Sequence, residues 1–196
     1  MSQDLRRWFS PSSQQSPTIS PTINPSVTNI EKPITESNII KVFTDGSAIN
    51  NGAKNARGGI GVFFKKDDPR NISKKVVNMK ITNNICELLA IIAAVEKIVE
   101  TNHSMKGIII HLYTDSEYIV NSVLKYSKTW VKNGYKGKNG KPIKNLQLMK
   151  RVLELYDLYN IKLKHCPAHL SESQHKVKEI WYGNKMADFL AREASK

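Results

Sequence analysis

Two short motifs carry the residues best suited to chemistry. Thr44-Asp45-Gly46-Ser47 and Thr114-Asp115-Ser116 each set a carboxylate directly after an apolar run, residues 39–43 in the first case and 108–113 in the second. Runs of that length, rich in β-branched and aromatic side chains, read as buried strands, and the Thr, Asp, Gly and Ser that follow are turn residues. The pattern therefore predicts two carboxylates at the C-terminal lips of two strands, where α/β sheets place ligands. If those strands are adjacent and parallel, at about 4.8 Å spacing, both acids lie within reach of one cation. Like charges held so close are costly unless something positive sits between them, so the spacing points to a metal.

The elements that must position these acids follow from the periodicity. Residues 58–64 read as a second strand, 65–70 as a charged hairpin loop and 72–80 as a third strand. Thr82-Asn83-Asn84 opens a helix whose apolar stripe is Leu88, Ile91, Ile92, Val95, Ile98 and Val99, a 3.6-residue period. Glu87 is expected in its first turn. Asn84 with Glu87 three residues on also has the spacing of a capping box, the purely structural alternative for that acid. A helix is expected over 116–126, an amphipathic one over 145–158, a fifth strand over 161–166 and a polar loop through Glu179. Trp181-Tyr182-Gly183-Asn184 then leads into a last helix. This order predicts an α/β fold, a five-stranded mixed sheet with three antiparallel strands feeding two parallel ones, flanked by helices.

Charge narrows the partner. The chain of 196 residues carries a net +13. Within residues 1–37, Arg6, Arg7 and Lys32 balance Asp4, Glu31 and Glu36, so the excess belongs to a domain over 38–196. That points to a polyanion, above all nucleic acid. Residues 125–150 hold eight lysines and no acid, with Tyr126, Trp130 and Tyr135 interleaved and Gly134, Gly137, Gly140 and Pro142 breaking any long helix. A protruding basic element is expected there, lysines facing phosphates and rings facing sugars and bases; the alternative is a solvated lysine face. The two cysteines, Cys86 and Cys166, form no disulfide framework and read as buried thiols. The longest purely apolar run, residues 88–95, is far short of the roughly 20 residues of a membrane span. With no secretory segment near the start, a soluble intracellular protein is expected, in cytoplasm or nucleus. Much Lys, Asn and Ile hints at an AT-rich genome, and so at a protist or a large DNA virus and its replication compartment.

The order Thr-Asp-Gly-Ser, Thr-Asn-Asn with Glu87 three residues on, Tyr-Thr-Asp-Ser, a strand-end His, and Asn184-(x)3-Asp188-(x)-Leu190-Ala191 resembles cellular type 1 ribonuclease H over about residues 38–196. Residues 130–145 are similar to that family's basic protrusion. The resemblance implies a monomeric endonuclease that cuts the RNA strand of RNA–DNA hybrids, leaving 5′-phosphate and 3′-hydroxyl ends, in primer or R-loop removal during DNA replication. It implies two Mg²⁺ ions, replaceable by Mn²⁺, held by Asp45, Glu87, Asp115 and Asp188, with His169 assisting proton transfer or product departure. By the same resemblance Asn51, Asn83 and Asn84 would read ribose 2′-hydroxyls, and Lys80, Thr82 and Asn145 would grip a DNA phosphate. Tyr118, Tyr126 and Trp130 would line the DNA channel, with Lys132, Tyr135, Lys136 and Lys138 on the protrusion. The sequence departs from the family at Ala168, where Gly is usual, and in a longer gap from His169 to Asp188.

Each acid also has a local alternative: Asp45 a turn residue, Asp115 a helix N-cap, Asp188 the i,i+4 partner of Arg192. Two other functions compete: a non-catalytic hybrid-binding module, and a resolvase- or transposase-like DNA nuclease on the same fold. Residues 1–37, rich in Ser, Pro and Thr, read as a disordered tail. Leu5, Trp8 and Phe9 within residues 2–9 resemble a sliding-clamp-binding peptide; its rival is an arginine-bearing presequence, against which Asp4 counts.

Overall fold

The computed structural model describes residues 38–167 and 177–196. The N-terminal tail, its Leu5/Trp8/Phe9 peptide and His169 lie outside the described residues.

Five strands form one sheet: β1 (Ile39–Ile49), β2 (Arg57–Phe63), β3 (Ile72–Val76), β4 (Ile109–Thr114) and β5 (Ile161–His165), in the order β3-β2-β1-β4-β5. β1–β2 and β2–β3 are antiparallel, whereas β1–β4 and β4–β5 are parallel. The helices are α1 (Asn83–Thr101), α2 (Glu117–Asn121), α3 (Ser127–Lys132), α4 (Leu146–Leu158) and α5 (Lys178–Ser195), with a π-helical turn at Ser122–Tyr126 joining α2 to α3. The expected mixed sheet is present. Among the described residues no helix is long and apolar enough to cross a membrane.

Four local expectations are corrected. The strand bearing Asp45 does not end in a turn at Thr44–Ser47: β1 continues to Ile49, because each residue from Phe43 on finds a partner in β2. Only its parallel pairing stops there, at Thr44↔Thr114. The turn comes later, where Asn50 and Gly52 take positive φ. The third strand ends at Val76 rather than Lys80. The helix expected over 116–126 is split by the π turn, and the last helix starts at Lys178, ahead of Trp181.

Two layers cover the sheet. On one face α1 and α4 bury Leu88, Ile92, Val95, Ile98, Met149 and Val152 against Val42, Ile60, Val62, Ile110 and Leu112. Each such side chain contributes about 1.5–3 kcal/mol when fully buried, so this layer holds the domain together. On the other face α5 lies over β1, β2 and β3 above a smaller cluster, Phe43, Phe63, Tyr113, Cys166 and Ala187. Glycine permits that close approach: a Cβ on Gly61 would stand 2.0 Å from the Ala187 carbonyl oxygen.

Candidate active site

The sheet's register brings the acids together. Lys41, Phe43, Asp45 and Ser47 alternate onto the α5 face, where Lys41 meets Glu179, Phe43 meets Gly183 and Ser47 meets Ser195. Asp115, one residue past the last β4 pair, belongs to the neighbouring row. Glu87 arrives from the opposite layer. A Cβ on Gly46 would lie 2.2 Å from the Glu87 amide nitrogen, so only glycine lets the start of α1 sit on β1 at this height. Because β1 outruns β4, the edge beside Asp45 is open to the acid from α1.

The result is one carboxylate oxygen each from Asp45, Glu87 and Asp115, all within 4.8 Å of one another. Asp45 is 7 % exposed and the other two are half-buried. Burial, then the charges of Asp115 and Asp188, push Asp45 up to about 8, against smaller opposing effects of the Gly46 amide and Arg192. Burial, then Asp45 and Asp115, push Glu87 up to about 9. Glu87 Oε2 is buried with no hydrogen-bond partner. Three converging carboxylates, one of them with a buried oxygen that lacks a hydrogen-bond partner, are what an oxygen-seeking divalent cation would satisfy, so the donor set fits a metal.

The capping alternative for Glu87 is corrected. Thr82 is the N-cap, its hydroxyl accepting from the Ile85 amide at 3.3 Å, and Glu87 stands in the second turn. The N-cap position of α2 is Ser116, not Asp115. Asp188 stands outside the three-acid group: its Oδ1 accepts from Arg192 Nε at 2.7 Å, the i,i+4 pair its spacing allows, although its charge is felt at Asp45. His165, at the end of β5, places Nε2 3.3 Å from the Asp115 carbonyl oxygen.

A second group assembles beside α1. Asn51, Lys80, Thr82, Asn83, Asn84, Lys144 and Asn145 line one open cleft of about 480 Å³. The residues expected to read hydroxyls and those expected to grip a phosphate thus share a single wall. Asn51 Oδ1 accepts from the Asn83 amide at 3.2 Å, tying the β1–β2 turn to the helix start. Asn145 takes a left-handed φ of 55° at the head of α4, a conformation Asn tolerates better than most residues. Lys144 also lines this cleft; the sequence offered it only as one lysine of the basic stretch and of the 130–145 segment, without a role of its own.

Along residues 125–150 all eight lysines are exposed. The chain folds back through the Lys136↔Pro142 bridge, with Tyr135 and Gly134 at positive φ. Lys132, Lys136 and Lys138 point to solvent, while Trp130 and Tyr135 are half-buried against the core. Tyr126 is 51 % exposed, its ring 5.8 Å from that of Trp130. Tyr118 packs on the same core and its hydroxyl donates to the Lys144 carbonyl at 3.4 Å. Both cysteines are buried and free; burial pushes Cys86 up to about 12 and Cys166 up to about 11.

Residues 37–196 match the RNase H family model. The chain is 38 % identical over 165 residues to "Ribonuclease H" of Schizosaccharomyces pombe, covering 84 % of this chain and 56 % of that protein. It is 34 % identical over 159 residues to "Ribonuclease H" of Ruthia magnifica, covering 80 % of this chain and 95 % of that one. It spans about half the length of the first curated relatives it matches. Among solved structures, the foamy viral protease-reverse transcriptase in complex with RNA/DNA hybrid aligns with a TM-score of 0.62 and 22 % identity. That alignment covers 95 % of this chain and 23 % of the other, and it is a likeness of fold.

Proposed function

Since the chain belongs to the RNase H family, we propose that it hydrolyses the RNA strand of RNA–DNA hybrids, with Asp45, Glu87, Asp115 and Asp188 as ligands of a pair of Mg²⁺ ions. The observation that carries this is the meeting of oxygens from three carboxylates within 4.8 Å of one another. Bound divalent ions of this hard, oxygen-preferring class activate a water and stabilise the leaving oxygen of a phosphodiester. The chain's own residues do the rest. Burial, together with the charges of Asp115 and Asp188 at Asp45 and of Asp45 and Asp115 at Glu87, favours the protonated form of both acids, and binding a metal would displace those protons. The Arg192 side chain steadies Asp188 until then. The His165 ring nitrogen Nε2, 3.3 Å from the Asp115 carbonyl oxygen, steadies the backbone that carries the third acid.

Substrate choice rests on the cleft beside α1. The amides of Asn51, Asn83 and Asn84 both donate and accept, which suits a ribose 2′-hydroxyl, the group that separates RNA from DNA. Lys80, Lys144, Thr82 and Asn145 on the same wall suit a phosphate of the paired DNA strand. Tyr118, Tyr126, Trp130 and the exposed Lys132, Lys136 and Lys138 would flank that strand further along. His169 is assigned to proton transfer or product departure, and Leu5, Trp8 and Phe9 to a sliding clamp; pulldown with purified clamp, using Trp8→Ala and Phe9→Ala, tests the latter. The deciding experiment incubates labelled RNA–DNA, RNA–RNA and DNA–DNA duplexes with Mg²⁺ and either wild type or Asp45→Asn. Cutting confined to RNA–DNA and abolished by the substitution is expected. Equal cutting of DNA–DNA would replace this reading with a DNA nuclease, and no cutting of any duplex would leave a binding module.

A further inference from the structure

The α5 face of the sheet carries a second cluster that the acid site does not use. Lys41, His111 and Lys162 occupy matched positions on β1, β4 and β5. Residues matched in this way on adjacent parallel strands point to the same face at about 4.8 Å intervals. Lys164, one row nearer the acids, turns back so that its Nζ lies 3.2 Å from His111 Nδ1 and 5.4 Å from the centre of the Tyr113 ring. Lys41 and Lys162 are exposed, and His111 and Lys164 are half-buried. Among the described residues the acid brought to the group is Glu179, whose Oε2 pairs with Lys41 at 2.7 Å. Among the described residues neither Lys162 nor Lys164 has a carboxylate within ion-pair distance. Burial and then the charges of Lys164, Lys41 and Lys162 push His111 below its ordinary value.

Lys41 and Lys162 flank His111 in one row, two strand spacings or about 10 Å apart, with Lys164 beside the same ring. Among the described residues α5 lies over β1, β2 and β3 and leaves Lys162 exposed and Lys164 half-buried. Alternation puts this group on the face that bears Asp45 and Asp115. Lys41 is four residues from Asp45 along β1, or about 13 Å, and Lys164 is matched with Tyr113, about 7 Å from the Asp115 row.

We propose that Lys41, His111, Lys162 and Lys164 form a second phosphodiester-binding surface, which holds the nucleic-acid backbone where it continues past the acid cluster across the face of β4 and β5. This rests on the hybrid-binding reading above and extends it to a longer footprint. It predicts a length-dependent affinity that a substrate confined to the acid cluster and the α1 cleft does not display.

The test measures binding of fluorescent hybrids of about 10 and about 25 base pairs by anisotropy, in chelator so that nothing is cut, across a salt series in which each lost phosphate contact lowers the slope by about 0.9. Full-chain wild type, Lys162→Gln/Lys164→Gln and Lys80→Gln are compared. The double variant is expected to bind the long hybrid with a slope smaller by about two and an affinity about tenfold weaker at low salt, and the short hybrid as wild type does. Lys80→Gln weakens both lengths. An unchanged slope in the double variant, with Lys80→Gln still weakened, overturns this surface and leaves the hybrid-binding reading intact. Wild type that binds neither length removes both. Thermal melting of the double variant should be no lower than wild type, since repulsion is relieved; a fall of several degrees would mark these lysines as structural and also overturn the inference.

Discussion

Replacing Glu87 with Gln should make the metal-free protein more stable and the enzyme inactive, opposite signs from one atom. In the unfolded chain Glu87 titrates near its ordinary 4.5; folded, it is raised to about 9 by burial and by Asp45 and Asp115. Between those values the folded state holds the proton that the unfolded state has lost, so stability falls as pH rises. Below pH 4.5 the penalty is absent, and above about 9 it is fully developed. At pH 7 the solution is 2.5 pH units above 4.5, and at about 1.4 kcal/mol per unit the penalty is about 3 kcal/mol. Gln has nearly the shape of the protonated acid and titrates nowhere, so the substitution removes this penalty. For a domain of this size each kcal/mol moves the melting temperature by about 2–4 °C. Melting in chelator should therefore rise by about 6–12 °C at pH 7, with a smaller gain at pH 5 and a larger one at pH 8. With Mg²⁺ the order reverses: wild type gains stability by binding, and Glu87→Gln gains little. A variant that melts at or below wild type at pH 8 without metal would refute the argument that this acid is held at an energetic cost for a ligand.

The same shifts require metal uptake to release protons. About two should be released at pH 7, one each from Asp45 and Glu87, and fewer as pH passes 9; calorimetry in buffers of different ionisation enthalpy counts them. Gly46→Ala pushes a Cβ to 2.2 Å from the Glu87 nitrogen and 2.4 Å from the Cys86 carbonyl carbon, both backbone atoms, so α1 must move off β1. Loss of about 1–3 kcal/mol in denaturant titration is expected. A loss of about a hundredfold in cleavage rate should accompany it, from misplacement of Glu87 by about 1 Å. At the head of α4, Asn145→Ala should cost about 1–2 kcal/mol through its left-handed backbone. Asn145→Gly should restore stability while leaving hybrid affinity reduced, which separates the backbone role from the phosphate role.

The stripe from Leu88 to Val99 and the apolar runs before Asp45 and Asp115 are short-range patterns, and they forecast α1, β1 and β4 because burial of one face is a local demand on sequence. The order of motifs named Asp45, Glu87 and Asp115, which the fold brings together, and Asp188, which it leaves outside that group. What the sequence could not decide is where chain segments distant in sequence touch. Thr44–Ser47 has turn composition, yet β2 supplies partners for each of its residues and keeps it extended, an override of local propensity by pairing. Glu87 looked like a cap until Thr82 took that place, and Asp188 stands outside the three-acid group, bonded to Arg192. Composition set the charge, and the order of residues set the strand and helix periods and the candidate acids. Tertiary structure alone decided that β1 outruns β4, that glycine at position 46 admits α1, and that three carboxylates from two layers therefore converge at an open edge. The reason is that side-chain type is written residue by residue, whereas the distance between two charges depends on the packing of everything between them.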